Sequence, residues 1–182
     1  FLLIRRQPRS TRKESSAASD VYKRQGIDLI MPDPGFIIDK KDDLLGIVLT
    51  HAHEDHIGAV AHIWPELKCK LFATPFTAAL ITEKFKEKKI DISSFLKIVP
   101  LNSKIKLGEF DIDFVTLTHS ILEPNGLSIK TPLGTILHTG DWKIDPNPLI
   151  GNKIDQEKLE KIGDAGVSAM ICDSTNIFSP GR

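Results

Sequence analysis

The stretch with the greatest potential for chemistry is His-Ala-His-Glu-Asp-His at residues 51–56. Four of its six side chains, those of His51, His53, Asp55 and His56, are good metal ligands. Three imidazoles and one carboxylate at this density suit two borderline transition metals better than one, with zinc as the first choice and manganese or iron as alternatives. The rival interpretation is a polar loop that carries histidines by chance.

The elements around this motif place it at the end of a strand. Residues 44–50 form an apolar run that predicts a buried strand, and residues 57–67 have apolar side chains at helical spacing. Active sites of open α/β sheets lie at the carboxyl ends of the strands. We therefore expect the four ligands to lie at such an end.

Two later strand ends carry further ligand types. The predicted strand over residues 110–118 leads into His119, and the predicted strand over residues 135–139 leads into Asp141. A carboxylate between two cations about 3.5–4 Å apart allows a shared water to lose its proton near neutral pH, which produces a hydroxide nucleophile. We expect one metal to be held by His51, His53 and His119, the second by Asp55 and His56, and Asp141 to lie between them.

The rest of the chain alternates short strands with helices. Strands are predicted over residues 70–73, 96–101, 104–107, 126–131 and 169–172, and helices over residues 74–88 and 155–162. Thr74 is the predicted N-cap of the first of these helices, with Pro75 in its first turn. The pattern predicts an α/β fold, an α+β sandwich in which helices pack outside β-sheets.

The first 25 residues differ from the rest of the chain. Residues 15–25 resemble an in-frame translation of a sequencing-library adapter, so we treat residues 1–25 as a non-native, disordered segment and exclude them. They hold seven basic and two acidic residues, which leaves residues 26–182 with 17 basic and 22 acidic residues, or net −5. Charge therefore gives no support for nucleic-acid binding.

The N-terminal apolar run and the two cysteines indicate the cellular compartment. The apolar run at residues 1–4 is too short for a signal sequence or a membrane span. Cys69 and Cys172 lie far apart and form no CxxC pair, which disfavours a disulfide framework. We expect a reducing, cytoplasmic location and no contact with a membrane.

These motifs carry a family resemblance. His-Ala-His-Glu-Asp-His resembles the HxHxDH motif of the metallo-β-lactamase fold, and His119 and Asp141 match that fold's third and fourth motifs. Residues 118–121, 126–145 and 169–176 resemble the ribonuclease J family, in the β-CASP branch of nucleases. The resemblance covers nearly all of residues 26–182. It implies a partial metallo-β-lactamase domain, truncated at both ends, with the β-CASP region beginning at about residues 173–182.

The resemblance also implies roles for individual residues. Two zinc ions, or manganese, would be bound, and one further ligand histidine would lie beyond Arg182. Asp55 would in addition handle protons, and Asp173 would orient a histidine that also lies beyond Arg182. His138 is expected in the core or beside a ligand. The family zinc ligands map to His51, His53, Asp55, His56, His119 and Asp141.

The function implied is a zinc-dependent ribonuclease that hydrolyses RNA phosphodiesters with a metal-bound hydroxide. It would act as a 5′→3′ exoribonuclease, with endonuclease cutting also possible, and as a homo-oligomer. We expect the truncated chain by itself to be weak or inactive. One alternative is a hydrolase of small esters, lactones or thioesters, which the segment at residues 172–176 argues against. Another is a non-catalytic module that binds RNA or a partner, which the complete set of ligands argues against.

Overall fold

The computed structural model describes residues 31 and 33–175, so the predicted disorder of residues 1–25 and the predicted β-CASP residues 176–182 lie outside the described part. The strands are β1 (Ile47–Val48), β2 (Leu71–Ala73), β3 (Leu96–Ile98), β4 (Lys104–Leu107), β5 (Phe110–Thr116), β6 (Asn125–Thr131), β7 (Gly134–His138) and β8 (Ala169–Ile171). The helices are α1 (Gly35–Ile38), α2 (Glu54–Ile57), α3 (Val60–Leu67), α4 (Pro75–Glu87) and α5 (Gln156–Ala165), with a 3-10 turn at Lys41–Asp43.

The strands form two sheets with different connections. The first sheet has the order β1-β2-β3 and is parallel, and its crossovers run through α2, α3 and α4. The second has the order β4-β5-β6-β7-β8, in which β4 to β7 are antiparallel and β8 joins β7 in parallel after α5. Short turns can join antiparallel strands, whereas parallel neighbours need a crossover, so the helices in the sequence determine where parallel pairs occur.

The two sheets face each other across an apolar layer. Val48 of β1 and Phe72 of β2 pack with Phe114 of β5 and Leu127 of β6 in one buried cluster. Because successive residues of a strand point to opposite faces, Ile47 lies on the other face of the first sheet, in the cluster formed with the helices. The predicted α/β sandwich with helices outside the sheets is confirmed.

The helix that follows the His-rich motif begins earlier than predicted. A first turn, α2, already starts at Glu54, and after Gly58 the chain continues as α3 from Val60. Asp55 and His56 therefore lie on a helical turn and not in the loop that precedes it. A Cβ atom at Gly58 would lie 2.5 Å from the carbonyl oxygen of Glu54, so a larger residue there would force this junction apart.

The longest helix begins where it was predicted, with Thr74 as the N-cap residue and Pro75 in the first turn, but the side chain of Thr74 does not make the capping contact. Thr74 precedes α4 with an extended backbone, but its side chain makes no capping hydrogen bond within the described residues, and its hydroxyl lies 3.4 Å from that of Thr77. The backbone N–H of Phe76 instead donates to Oε2 of Glu123, 47 residues further along the chain, at 2.8 Å. The first turn of α4 is thus satisfied by a tertiary contact, which local sequence cannot predict.

The two cysteines differ in burial, and this gives a first testable prediction. Cys69 is buried, and burial raises the pKa of its thiol to about 11, whereas Cys172 is exposed. Because the thiolate is the reactive form, we expect one thiol of the folded chain to react with a disulfide reagent at pH 8 and the second only after denaturation. Replacing Cys172 with serine should leave a single slow thiol. Two thiols that react at equal rates would contradict the burial of Cys69.

Within residues 31 and 33–175, no helix combines the length and the apolar character that a membrane crossing requires.

Candidate metal centre

Three separate segments bring the predicted ligands together. His51 and His53 follow β1, and Asp55 and His56 lie on α2 directly after them. His119 comes after β5 of the second sheet, and Asp141 after β7. The structure brings together all six side chains that the sequence predicted. Their ligand atoms form two groups in which every pair lies within 4.8 Å: His51, His53, His119 and Asp141 in one, and Asp55, His56 and Asp141 in the other.

Asp141 belongs to both groups and lies at the centre of the cluster. Its Oδ1 is 3.1 Å from Nε2 of His56, and its Oδ2 is 3.6 Å from Nε2 of His119 and 3.9 Å from Nε2 of His51. The two carboxylate oxygens therefore face different groups. This is the arrangement expected of a carboxylate that bridges two cations.

His51 is the most deeply placed member of the cluster. It is 0% exposed, and its Nδ1 lies 3.1 Å from the hydroxyl of Thr50. Its Nε2 is buried and has no hydrogen-bond partner among the described residues. Burial lowers the pKa of His51 to about 3, with a further contribution from the charge of His56. The imidazole is therefore neutral at pH 7 and presents an unused nitrogen lone pair or N–H to the interior of the cluster.

The rest of the cluster is electrostatically suited to a cation. Burial lowers the pKa of His119, and its Nε2 lies 3.0 Å from Nδ1 of His53. A hydrogen bond with His56 is the main cause that lowers the pKa of Asp141 to about 2, and the nearby charges of His56 and His51 act in the same direction. The lowered pKa values favour a neutral imidazole at His51 and at His119 and an ionised carboxylate at Asp141, which are the protonation states that metal ligands require.

Two features of the cluster show that its residues fit a metal ion: a buried nitrogen without a partner and the chemistry of the donor atoms. A buried polar atom without a partner is costly, and Nε2 of His51 is such an atom, aimed at a carboxylate that is too far away for a hydrogen bond. Nitrogen and carboxylate oxygen donors in this ratio are the usual ligands of zinc. The residues fit a metal ion, and the cluster could hold one. The assignment of each residue as a ligand stays a prediction.

A glycine that follows β7 of the second sheet lies close to the end of β1 at the cluster. Gly140 has a φ of +58°, a left-handed conformation that favours glycine. A Cβ atom there would lie 3.1 Å from the carbonyl oxygen of Asn125 and 3.2 Å from Cβ of Thr50. Since Asp141 follows directly, the close approach of this turn to the end of β1 is what delivers the carboxylate to the histidines.

His138 lies beside this turn. Its Nδ1 accepts a hydrogen bond from the backbone N–H of Gly140 at 3.0 Å, and burial lowers its pKa to about 4. It is absent from both ligand groups. This placement agrees with the expected position beside a ligand, and its role stays a prediction.

Asp173 lies at the other end of the described region. Its carboxylate accepts hydrogen bonds from the backbone N–H of Thr175 at 3.0 Å and from the hydroxyl of Thr175 at 2.5 Å, and its own N–H donates to the hydroxyl of Thr139. Its negative charge acts to raise the pKa of His119, against the stronger effect of burial. Asp173 is therefore close enough to influence the cluster, although it is in neither ligand group.

Three residues that make hydrogen bonds around the cluster have no counterpart among the predicted site residues. Asn125 is buried, and both its backbone N–H and its side-chain amide donate to the carbonyl oxygen of Thr50. Thr118 exchanges hydrogen bonds with Lys143, which joins the segments that carry His119 and Asp141. Glu123 accepts a hydrogen bond from the backbone N–H of Phe76 in α4. A single buried asparagine or threonine forms no sequence motif of its own. The only signal that could have pointed to Thr118 is that it directly precedes the predicted ligand His119.

Comparison with known proteins places the chain in a family. A family model described as the beta-lactamase superfamily domain matches residues 25–161. The chain belongs to this superfamily.

Within the superfamily, the similarity is to ribonuclease J. The chain is 42% identical over 158 residues to ribonuclease J of Sinorhizobium meliloti and 41% identical over 157 residues to ribonuclease J of Helicobacter pylori. Each match covers 86% of this chain but only 28% and 23% of the relatives, so the chain spans about a quarter of their length. The resemblance predicted from the sequence motifs is confirmed.

The similarity to a solved structure has a lower sequence identity than the similarity to the ribonuclease J proteins. A metallo-β-lactamase fold protein from Bacillus subtilis is 16% identical, with a TM-score of 0.43 that covers 59% of this chain and 44% of that protein.

Proposed function

We propose that this chain is the metal-binding part of a metal-dependent hydrolase that cleaves RNA phosphodiesters. The observation that carries the proposal is the double use of Asp141, whose two oxygens face two separate groups of ligand atoms. Similarity to two ribonuclease J proteins over 86% of the chain supports RNA as the substrate. As in the predicted assignment, two zinc ions are the proposed occupants, with manganese as the alternative.

The proposed ligands divide the work between the two groups. His51, His53 and His119 would hold one ion, Asp55 and His56 the other, and Asp141 would contact both. When bound, such ions supply positive charge to phosphoryl oxygens and make a nearby water more acidic. The protein contributes the fixed arrangement: a buried His51 at the base, and Asp141 held between the sheets by the Gly140 turn.

Asp55 is the residue best placed to move a proton. Its carboxylate is 49% exposed at the edge of the cluster, and its Oδ2 lies 3.6 Å from Nε2 of His56. One of its oxygens would bind an ion while the other accepts a proton from the attacking water. Because this side of the cluster is open to solvent, the phosphate of a long polymer can approach it. Asp173 would act by its charge and by orienting a histidine of the larger protein.

The proposal is tested by transplanting the segment. Residues 26–182 would replace the matching segment of Sinorhizobium meliloti ribonuclease J, and the purified chimera would be assayed with zinc or manganese on labelled 5′-monophosphate RNA, on a thioester and on a lactone. We expect RNA cleavage and no turnover of the small substrates. Intact RNA together with thioester or lactone hydrolysis would favour the alternative hydrolase, and binding of RNA without cleavage would favour the non-catalytic module.

The same assay addresses this chain alone. We propose that the 182-residue chain cleaves RNA weakly or not at all, because its relatives contain about three times as much further sequence that it does not match. The cytoplasmic location and the homo-oligomer implied by the family resemblance stay proposals of the same kind.

A further inference from the structure

Glu123 links the candidate metal centre to the longest helix. It lies in the loop between His119 and β6, and its Oε2 accepts a hydrogen bond from the backbone N–H of Phe76, in the first turn of α4. Thr74 does not satisfy this turn in the described part of the chain. Since the first N–H groups of a helix have no partner within the helix, the loop that follows His119 supplies one from outside.

The loop is held in a conformation that needs support. Glu123 has a φ of +53°, in the left-handed region that residues with a side chain seldom adopt. Its carbonyl oxygen accepts a hydrogen bond from Nδ2 of Asn125 at 2.6 Å, so both its side chain and its main chain are engaged. Strained backbone persists where surrounding contacts determine it, and here these contacts are α4 on one side and Asn125 on the other.

The contacts continue from Asn125 to the first histidine. The backbone N–H and Nδ2 of Asn125 donate to the carbonyl oxygen of Thr50, at 3.1 Å and 3.3 Å. The hydroxyl of Thr50 lies 3.1 Å from Nδ1 of His51. Asn125 is 1% exposed, so these hydrogen bonds are shielded from water. A continuous set of contacts thus runs from α4 through Glu123, Asn125 and Thr50 to His51.

We propose that Glu123 is a positioning residue for the metal centre. By fastening the loop after His119 to the start of α4, it holds His119 and, through Asn125 and Thr50, His51 in the orientations that a metal ion needs. Glu123 itself lies outside both ligand groups and acts only through other residues. This role rests on the proposed metal centre.

The test measures metal binding by the 182-residue chain and not its activity. Glu123→Ala removes the acceptor for Phe76, whereas Glu123→Gln keeps an oxygen that can accept the same hydrogen bond. Asp155→Ala is the matched control, because Oδ1 of Asp155 accepts from the backbone N–H of Lys158 at the start of α5 and Asp155 is in neither ligand group. Cobalt would be titrated against a chromophoric chelator, with its visible spectrum as a report of ligand geometry and far-ultraviolet circular dichroism as a check of folding.

We expect Glu123→Ala to weaken cobalt binding by about 10- to 100-fold, the range for residues that orient metal ligands, and to alter the visible spectrum. Glu123→Gln should restore the affinity and spectrum of the original chain, and Asp155→Ala should leave both unchanged. If Glu123→Ala binds cobalt as tightly as the original chain, the role of Glu123 is overturned, but the proposed metal centre is not. An equal loss in Asp155→Ala would also overturn it, since the loss would then follow general stability.

Two further outcomes are informative. If Glu123→Ala does not fold, Glu123→Gln decides: near-original affinity supports the hydrogen-bond role, and a loss of more than about tenfold overturns it. If the original chain binds no cobalt, the proposed metal centre fails and the role of Glu123 fails with it. If instead all variants bind cobalt equally, only the role of Glu123 fails and the proposed metal centre is retained.

Discussion

Replacing Asp141 with asparagine is expected to reduce zinc binding by more than about 100-fold, beyond the loss typical of a residue that only orients a ligand. Asp141 contributes to both groups of ligand atoms, and its oxygens lie 3.1 Å from Nε2 of His56 and 3.6 Å from Nε2 of His119. Asparagine keeps the size of the side chain but removes the negative charge that two cations would share. Zinc bound per chain, measured by elemental analysis after dialysis at a fixed free zinc concentration, checks this.

The control for Asp141 is a carboxylate outside the cluster. Asp111 lies on β5, where its carboxylate is paired with Lys106 at 3.2 Å on the protein surface. Asp111→Asn should retain the zinc content of the original chain. In the presence of a chelator, Asp141→Asn should keep the far-ultraviolet spectrum of the original chain but unfold at a lower temperature, because it loses the charged hydrogen bond with His56 that lowers the pKa of Asp141. An unchanged zinc content in Asp141→Asn would remove Asp141 from the site.

Changing Asp55 and His56 together to alanine is expected to abolish RNA cleavage by the chimera, with a loss on the order of 10³-fold or more. The two side chains form the second group of ligand atoms with Asp141, and Asp55 is also the proposed proton acceptor. Residues that serve one ion act as a unit, so the double change should cost little more than either single change. Single-turnover rates on labelled RNA at saturating enzyme provide the measurement.

His62 offers a matched control for the double variant. It is an exposed histidine on α3, in neither ligand group, so His62→Ala should leave the rate unchanged. The double variant should keep the far-ultraviolet spectrum of the original protein, since Asp55 and His56 contribute little to the buried core. Unchanged turnover in a folded double variant would show that the chemistry takes place at another site.

Much of the fold could be predicted from local patterns. The strands β2, β4, β5 and β6 and the helix α5 fall within two or three residues of their predicted ranges, because each has its own period of apolar residues and its own turn signals. The junction after the His-rich motif was less predictable. Apolar spacing begins at Ile57, but the helical turn starts at Glu54, where polar residues face the cluster.

The candidate site shows the same division. The six proposed ligands were recognised because their types and spacing form motifs, and motifs are local features of the chain. The positions of Glu123 and Asn125 were not recognised, because their hydrogen-bond partners Phe76 and Thr50 lie 47 and 75 residues away. Local rules correctly place Thr74 at the N-cap of α4, but they do not predict that Glu123, and not the hydroxyl of Thr74, accepts the hydrogen bond from the first turn.

By itself, the sequence determined the chemistry of this protein: which side chains can bind a metal, and which strand ends carry them. Only the tertiary structure decided that these ends meet, that Asp141 faces both groups, and that the loop after His119 is fastened to α4. The physical reason is distance along the chain. Residue type and period act over a few neighbours, whereas the meeting of β1, β5 and β7 depends on how two sheets pack over a shared apolar layer.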